Sequence, residues 1–154
     1  MSEKTDFNLF RKNMMQRKDR IDRVENICVD GMPDVSYCID GVDGWIEIKS
    51  PKEPKRATSK LLRMKLNHKL LQSQKNWFLC QRMAGGKGYI LICTDKRWML
   101  IDGCKYADQV NDMTVNSLHR AASWVAFTPI KEEGWFLLRW HLKGADGDIQ
   151  NKTI

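Results

Sequence analysis

The chain lacks any apolar run near the roughly 20 residues that a membrane span needs. Its opening stretch, MSEKTDFNLFRKNMM, has no continuous apolar segment of the secretory-signal kind, so a cytoplasmic location is the expectation. Cysteine is present but unpatterned. Cys28, Cys38, Cys80, Cys93 and Cys104 are odd in number, widely spaced and without a C-x-x-C pair, which favours buried reduced thiols over zinc ligation. His68, His119 and His141 show no ligand spacing, so a histidine-based metal or general-base enzyme has no support. Repeats, low-complexity tracts and long linkers are also missing.

What remains is a chain of 154 residues, 42 % of them hydrophobic and 29 % charged, enough for one folded domain over 1–154. The formal charge is +7 and unevenly placed. Lys55, Arg56, Lys60, Arg63, Lys65, Lys69 and Lys75 follow one another without an intervening acid, with Lys52 just ahead. Arg11, Lys12, Arg17, Lys18 and Arg20 form a second group. Such clusters suit a polyanion, because neutralising phosphates releases condensed counterions; a solvated basic surface is the plainer explanation for either cluster alone.

The hydrophobic pattern predicts an amphipathic helix over 5–18, with Phe7, Phe10 and Met14 inward and Thr5 or Asp6 as cap. Strands are predicted near 21–29, 32–39 and 43–49, punctuated by Asp30-Gly31, Asp40-Gly41 and Asp43-Gly44, since Asp-Gly is a strong hairpin signal. Residues 51–59, PKEPKRATS, read as an exposed loop, and Leu61–Leu66 as a short strand or the start of a helix. A helix from 68 to about 83 should be capped by Asn67 and turn Leu70, Leu71, Trp77 and Phe78 inward. Tyr89–Thr94 reads as a buried strand, followed by a strand over Trp98–Ile101, a helix around 114–125, and a final segment Trp135–Leu142 that fits either strand or helix.

Glu47-Ile48-Lys49 follows Pro33-Asp34 at a distance of thirteen residues from Asp34 to Glu47. Side chains alternate along a strand, so Glu47 and Lys49 share one face and Ile46 and Ile48 the other. A two-residue turn at Asp40-Gly41 sets Asp34 directly across from Glu47; a turn at Asp43-Gly44 sets Asp40 there instead. Carboxylates opposed at roughly 5 Å repel, and a divalent cation between them removes the penalty. With Lys49 one pleat along, the set suits metal-assisted phosphodiester hydrolysis. An E-x-K triplet also arises by chance in so charged a chain. The second one here, Glu53-Pro54-Lys55, is discarded because its proline cannot sit inside a paired strand.

Gly31-Met32-Pro33-Asp34, Trp45-Ile46-Glu47-Ile48-Lys49 and Gln74-Lys75-Asn76-Trp77 together resemble the PD-(D/E)XK nuclease superfamily, most closely its small phage-encoded, Holliday-junction-resolvase-like and virus-type replication-repair branches. The resemblance covers about 5–102 and leaves 103–154 as an extension. It implies an α/β, restriction-endonuclease-like αβββαβ core with a mixed central sheet flanked by helices. It implies Asp34, Glu47 and the carbonyl of Ile48 as ligands of Mg²⁺, with Mn²⁺ as a substitute, Lys49 as the catalytic lysine, and Gln74 pointing into the site. The family's further acid would be Glu25, which a hairpin turn at Asp30-Gly31 sets on the face of Asp34; Glu3 and Asp6 on the first helix are the alternatives. Tyr37, Trp45 and Trp77 are candidates for stacking on bases, though aromatics at such spacing more often build a core. The partner implied is DNA, cut by a possible homodimer in phage recombination, repair or DNA degradation, in the host cytoplasm if the chain is viral. A catalytically inactive nucleic-acid-binding module of the same fold is the alternative, and a virion or scaffold protein a third.

Overall fold

The computed structural model describes residues 2–25, 29–62 and 68–144. In chain order its elements are α1 (Glu3–Met14), β1 (Arg20–Arg23), β2 (Val35–Ile39), β3 (Val42–Lys49), α2 (Gln72–Met83), β4 (Gly88–Cys93), β5 (Arg97–Asp102), α3 (Gly103–Tyr106), α4 (Val115–Ala121), β6 (Trp124–Phe127) and α5 (Glu132–Leu142). The first six reproduce the expected αβββαβ order. Among the described residues the strands form one α/β-type mixed sheet in the order β1-β2-β3-β4-β5-β6. Of the described strands, only β3 and β4 run parallel. A parallel pair needs a crossover, and α2 lies within it.

Alternation along β3 divides the molecule. Ile46 and Ile48 enter a core in which Phe7, Phe10 and Met14 of α1 meet Leu138 and Leu142 of α5. On the other face, Ile90, Ile92, Met99 and Ile101 pack with Leu61, Leu62, Phe78 of α2 and Leu118 of α4. Apolar neighbours on both sides explain why β4 is buried at every position. Glu47 and Lys49 are therefore exceptions on their face.

The β2–β3 hairpin has the first of the two predicted turns. Ile39 pairs with Val42, and Asp40 and Gly41 have φ of 48° and 80°, as a two-residue primed turn requires. Asp43 and Gly44 instead lie within β3, opposite Cys38 and Tyr37. Gly44 is required there because the Tyr37 phenol crosses it, and a Cβ would collide with that ring. Tyr37 is 1 % exposed and its hydroxyl donates to the Leu142 carbonyl at 2.9 Å, so it is a core residue and not a stacking surface.

Elsewhere boundaries shift for identifiable reasons. Helix α1 starts earlier, capped by Ser2, whose hydroxyl accepts the Thr5 N–H at 3.3 Å; Asp6 is buried inside the helix. Helix α2 starts later than residue 68. The Asn111 side chain bonds both the N–H and the C=O of Leu70, each at 2.8 Å, and holds that residue out of the helix. Leu71 is exposed rather than inward. The 51–59 loop is anchored, not free: Glu53 is buried and pairs with Arg97 at 2.5 Å while accepting from Thr94 at 2.9 Å. The helix predicted to 125 ends at Ala121, because Trp124–Phe127 joins the sheet beside β5. The last apolar segment is helix α5. Of the cysteines, Cys93 is buried, Cys38 and Cys104 are partly so, and Cys80 is exposed, which corrects the expectation of buried thiols throughout. Cys28 and the proposed cap Asn67 lie outside the described residues.

Helix α5 is fastened by Arg139. Its guanidinium pairs with both oxygens of Asp19, with Asp40 at 2.9 Å and with the Met14 carbonyl at 3.1 Å. The side chains of Arg139 and Asp19 are 8 % and 1 % exposed, and the Arg139 hydrogen bonds hold the Asp19 carboxyl down at about 2. Removing one partner of such a pair strands a buried charge. Arg139→Met should therefore cost about 3–5 kcal/mol in urea unfolding at pH 7. A loss under about 1 kcal/mol would show that α5 is held by its apolar face alone.

Candidate active site

The β2–β3 ladder ends at Val35 opposite Ile46, and one further step sets Asp34 opposite Glu47. Asp34 Oδ1 accepts the Ile48 N–H at 3.1 Å, which ties the Pro33-Asp34 segment to β3. Lys49 Nζ lies 3.1 Å from Glu47 Oε1, both side chains almost wholly buried.

Gln74, in the first turn of α2, completes the group. Its Oε1 accepts the Leu71 N–H at 2.9 Å, one of the free donors that opens any helix. That bond fixes the amide, so Nε2 faces Glu47 and donates to Glu47 Oε1 at 2.6 Å, while Lys49 Nζ donates to the Gln74 Oε1 at 3.5 Å. Gln74 thus couples the start of α2 to the acid on β3. Gly31 presses on the same turn: its φ is 80°, and a Cβ would collide with the backbone of Ser73 and Gln74. The sequence suggested a hairpin turn at Asp30-Gly31; the glycine in fact serves a close approach between the Pro-Asp segment and α2. No local signal distinguishes those two uses.

Burial raises the Asp34 carboxyl to about 6 against the Ile48 hydrogen bond, with the Glu3 charge adding to the rise. Burial, then the Asp34 charge, raises Glu47 to about 7, with Lys49 opposing. The two acids therefore resist simultaneous ionisation without a cation. Each has one oxygen engaged in the bonds described and the other outside them. Two hard carboxylates in that state fit Mg²⁺ or Mn²⁺, which bind through one or two carboxylates and retain waters. Among the described residues no group of three or more His, Cys, Asp or Glu side chains is arranged to hold a metal.

Glu25 does not join them. β1 pairs with β2 as Arg23 opposite Val35 and Asp22 opposite Ser36, and the Val24 N–H donates to the Asp34 carbonyl at 2.7 Å. This register differs from the predicted one by an odd number of residues, which sends Glu25 to the other side from Asp34, and it is exposed. Glu3, in the first turn of α1, is the acid whose charge reaches both Asp34 and Glu47. Asp6 turns instead to Ser50, whose hydroxyl donates to it at 2.6 Å.

The basic residues are spread more widely. Lys52, Lys55 and Arg56 are exposed, and Lys69 and Lys75 partly so. Lys60 pairs with Asp112 at 3.2 Å, an acid the local sequence could not reveal. Arg63 and Lys65 lie outside the described residues.

No protein-family model matches the chain, and no curated protein matches it. Among solved structures it is similar to Hjc, a Holliday junction resolvase from the archaeal hyperthermophile Archaeoglobus fulgidus. The identity is 15 % and the TM-score 0.43, over 66 % of this chain and 74 % of that one.

The raised carboxyls set a pH dependence. Their folded-state values exceed the unfolded ones, so their contribution to stability is present at low pH and is lost as pH rises through about 6 and 7. Asp34→Asn keeps an acceptor for the Ile48 N–H and relieves Glu47. In EDTA, the stability of Asp34→Asn relative to wild type should increase by about 2 kcal/mol between pH 5 and pH 8. Parallel denaturation curves with a pH-independent gap would contradict it.

Proposed function

We propose that the protein is a divalent-cation-dependent deoxyribonuclease of the PD-(D/E)XK type. The carrying observation is the convergence of Asp34, Glu47, Lys49 and Gln74 at the end of β3, in a chain whose surplus charge is positive. Asp34, Glu47 and the Ile48 carbonyl would hold Mg²⁺ or Mn²⁺. When bound, the cation would supply charge neutralisation at the phosphate and a lowered pKa for a coordinated water.

The protein's own groups do the rest. Lys49 is held by Glu47 and Gln74 with its ammonium on the phosphate side, where it stabilises charge that grows in the transition state. Gln74 fixes the Glu47 carboxylate by a bond anchored in the helix start, so the acid need not reorganise during reaction. Glu3 adds negative charge that favours cation over anion at the pair. Lys52, Lys55, Arg56, Lys60, Lys69 and Lys75, with Arg63 and Lys65, would position the DNA backbone, which is an electrostatic and sequence-independent role. Branched DNA, a homodimeric assembly and a part in phage recombination, repair or DNA degradation belong to this same proposal, on the residues that resemble the resolvase-like branch.

The test is incubation of linear, flapped and four-way DNA with Mg²⁺, Mn²⁺ or EDTA. Cleavage should require the cation and vanish in Asp34→Ala and Glu47→Ala. Lys49→Ala should lower the single-turnover rate by orders of magnitude with little change in affinity, whereas Lys55→Ala should weaken binding modestly and leave that rate intact. Undiminished cutting by either acid variant would refute the site, and binding without cutting would identify an inactive module.

A further inference from the structure

The face that carries Asp34 and Glu47 has a second row, one pleat away from the acids. Across it run Asp22 of β1, Ser36 of β2, Trp45 of β3 and Gly88 of β4. Trp45 is thus flanked by two small residues, a serine and a glycine. The gap at Gly88 is used: the rings of Phe78 and Trp77 sit over it, and a Cβ there would press on both. Trp77 meets Trp45 edge to face, with centroids 5.8 Å apart, and Phe78 at 5.5 Å, so one side of Trp45 is braced.

Among the described residues the other side is not covered in the same way. Helices α2, α3 and α4 lie over β4 and β5, whereas Arg20 and Asp22 on β1 have side chains 70 % and 51 % exposed. Trp45 itself is only partly buried and belongs to neither apolar cluster, although it is among the largest side chains in the protein. A core role accounts for Trp98 and Trp135, which pack together in the first cluster. It does not account for Trp45. The distance along the strand is also informative: Glu47 lies two positions along from Trp45, roughly 6.6 Å of rise. A base next to the phosphate held at Glu47 and Lys49 falls within reach of the indole.

We propose that Trp45, braced by Trp77, is a stacking platform for an unpaired base adjoining the phosphate to be cut. A base inside a duplex is stacked on its neighbours and offers no free face, so the platform selects DNA with unpaired nucleotides beside the cleavage point. The location relative to the phosphate rests on the nuclease reading above; the stacking itself does not need cleavage.

The test reads binding in an Asp34→Asn background with two oligonucleotides of equal length, one fully paired and one with an unpaired segment. Trp45→Ala should weaken the unpaired-segment complex by roughly 5- to 150-fold, leave the duplex complex as before, and be largely rescued by Trp45→Phe. A folded Trp45→Ala protein with unchanged affinity for both, or with equal losses on both, overturns the proposal. Should Trp45→Ala fail to fold, photo-crosslinking of the wild type in EDTA to 5-bromodeoxyuridine in the unpaired segment decides. Adducts on Trp45 or Trp77 support the platform, and adducts only elsewhere overturn it. Cutting that depends on Asp34 and Glu47 together with indifference to Trp45 refutes the platform alone. Loss of unpaired-base binding on Trp45→Ala, in a protein whose wild type cuts no DNA, refutes the nuclease reading alone.

Discussion

Two carboxylates opposed across β2 and β3, Glu47 buried and Asp34 partly so, set the terms for the rest of this molecule. Like charges directly opposite one another destabilise a sheet, and burial raises that penalty further. Asp34 and Glu47 persist because everything around them offsets part of it: the Ile48 N–H for one, Lys49 and Gln74 for the other. Neither arrangement offsets it fully: burial first, then the Glu3 charge for Asp34 and the Asp34 charge for Glu47, still raise the two carboxyls to about 6 and about 7. On the proposed reading, a cation bound between the two acids would relieve that strain, and chemistry there would depend on the cation.

The two faces of the sheet divide the work. The first is a continuous apolar core closed by α1 and α5 and locked at its edge by Arg139, Asp19 and Asp40. That lock holds the Asp40-Gly41 turn, and the turn sets the register that opposes Asp34 to Glu47. A helix far along the chain therefore bears on the candidate-site geometry through the hairpin. The second face is apolar only over β4 and β5, leaving the acids, Lys49 and Trp45 at the border between core and solvent.

Much of this was legible in the residues. Asp-Gly flanked by alternating apolar positions specifies a two-residue turn, and the turn specifies the register, so the sequence narrowed the acid opposite Glu47 to Asp34 or Asp40; the Asp40-Gly41 turn decides for Asp34. Gln74 was aimed at the site by the resemblance alone; its orientation depends on the helix start, which Asn111 sets from a segment forty-one residues from Leu70. Glu25 was misplaced because the observed β1–β2 register is not the one that a two-residue turn at Asp30-Gly31 would set, and an odd slip in register exchanges faces. The ion pairs Glu53–Arg97 and Lys60–Asp112 join residues distant in the chain, and local pattern carries no trace of them.

Proton release on cation binding tests the buried pair most directly. Calorimetric titration of the protein with Mg²⁺ at pH 6.5, repeated in buffers of different ionisation enthalpy, counts the protons displaced. With carboxyls at about 6 and about 7, the free protein holds about one proton on the pair at that pH. Release approaching one proton per Mg²⁺, falling away by pH 8.5 and absent in Asp34→Asn with Glu47→Gln, is the expected result. Binding that displaces no proton at pH 6.5, or that survives loss of both acids, would contradict the assignment of Asp34 and Glu47 as the cation site.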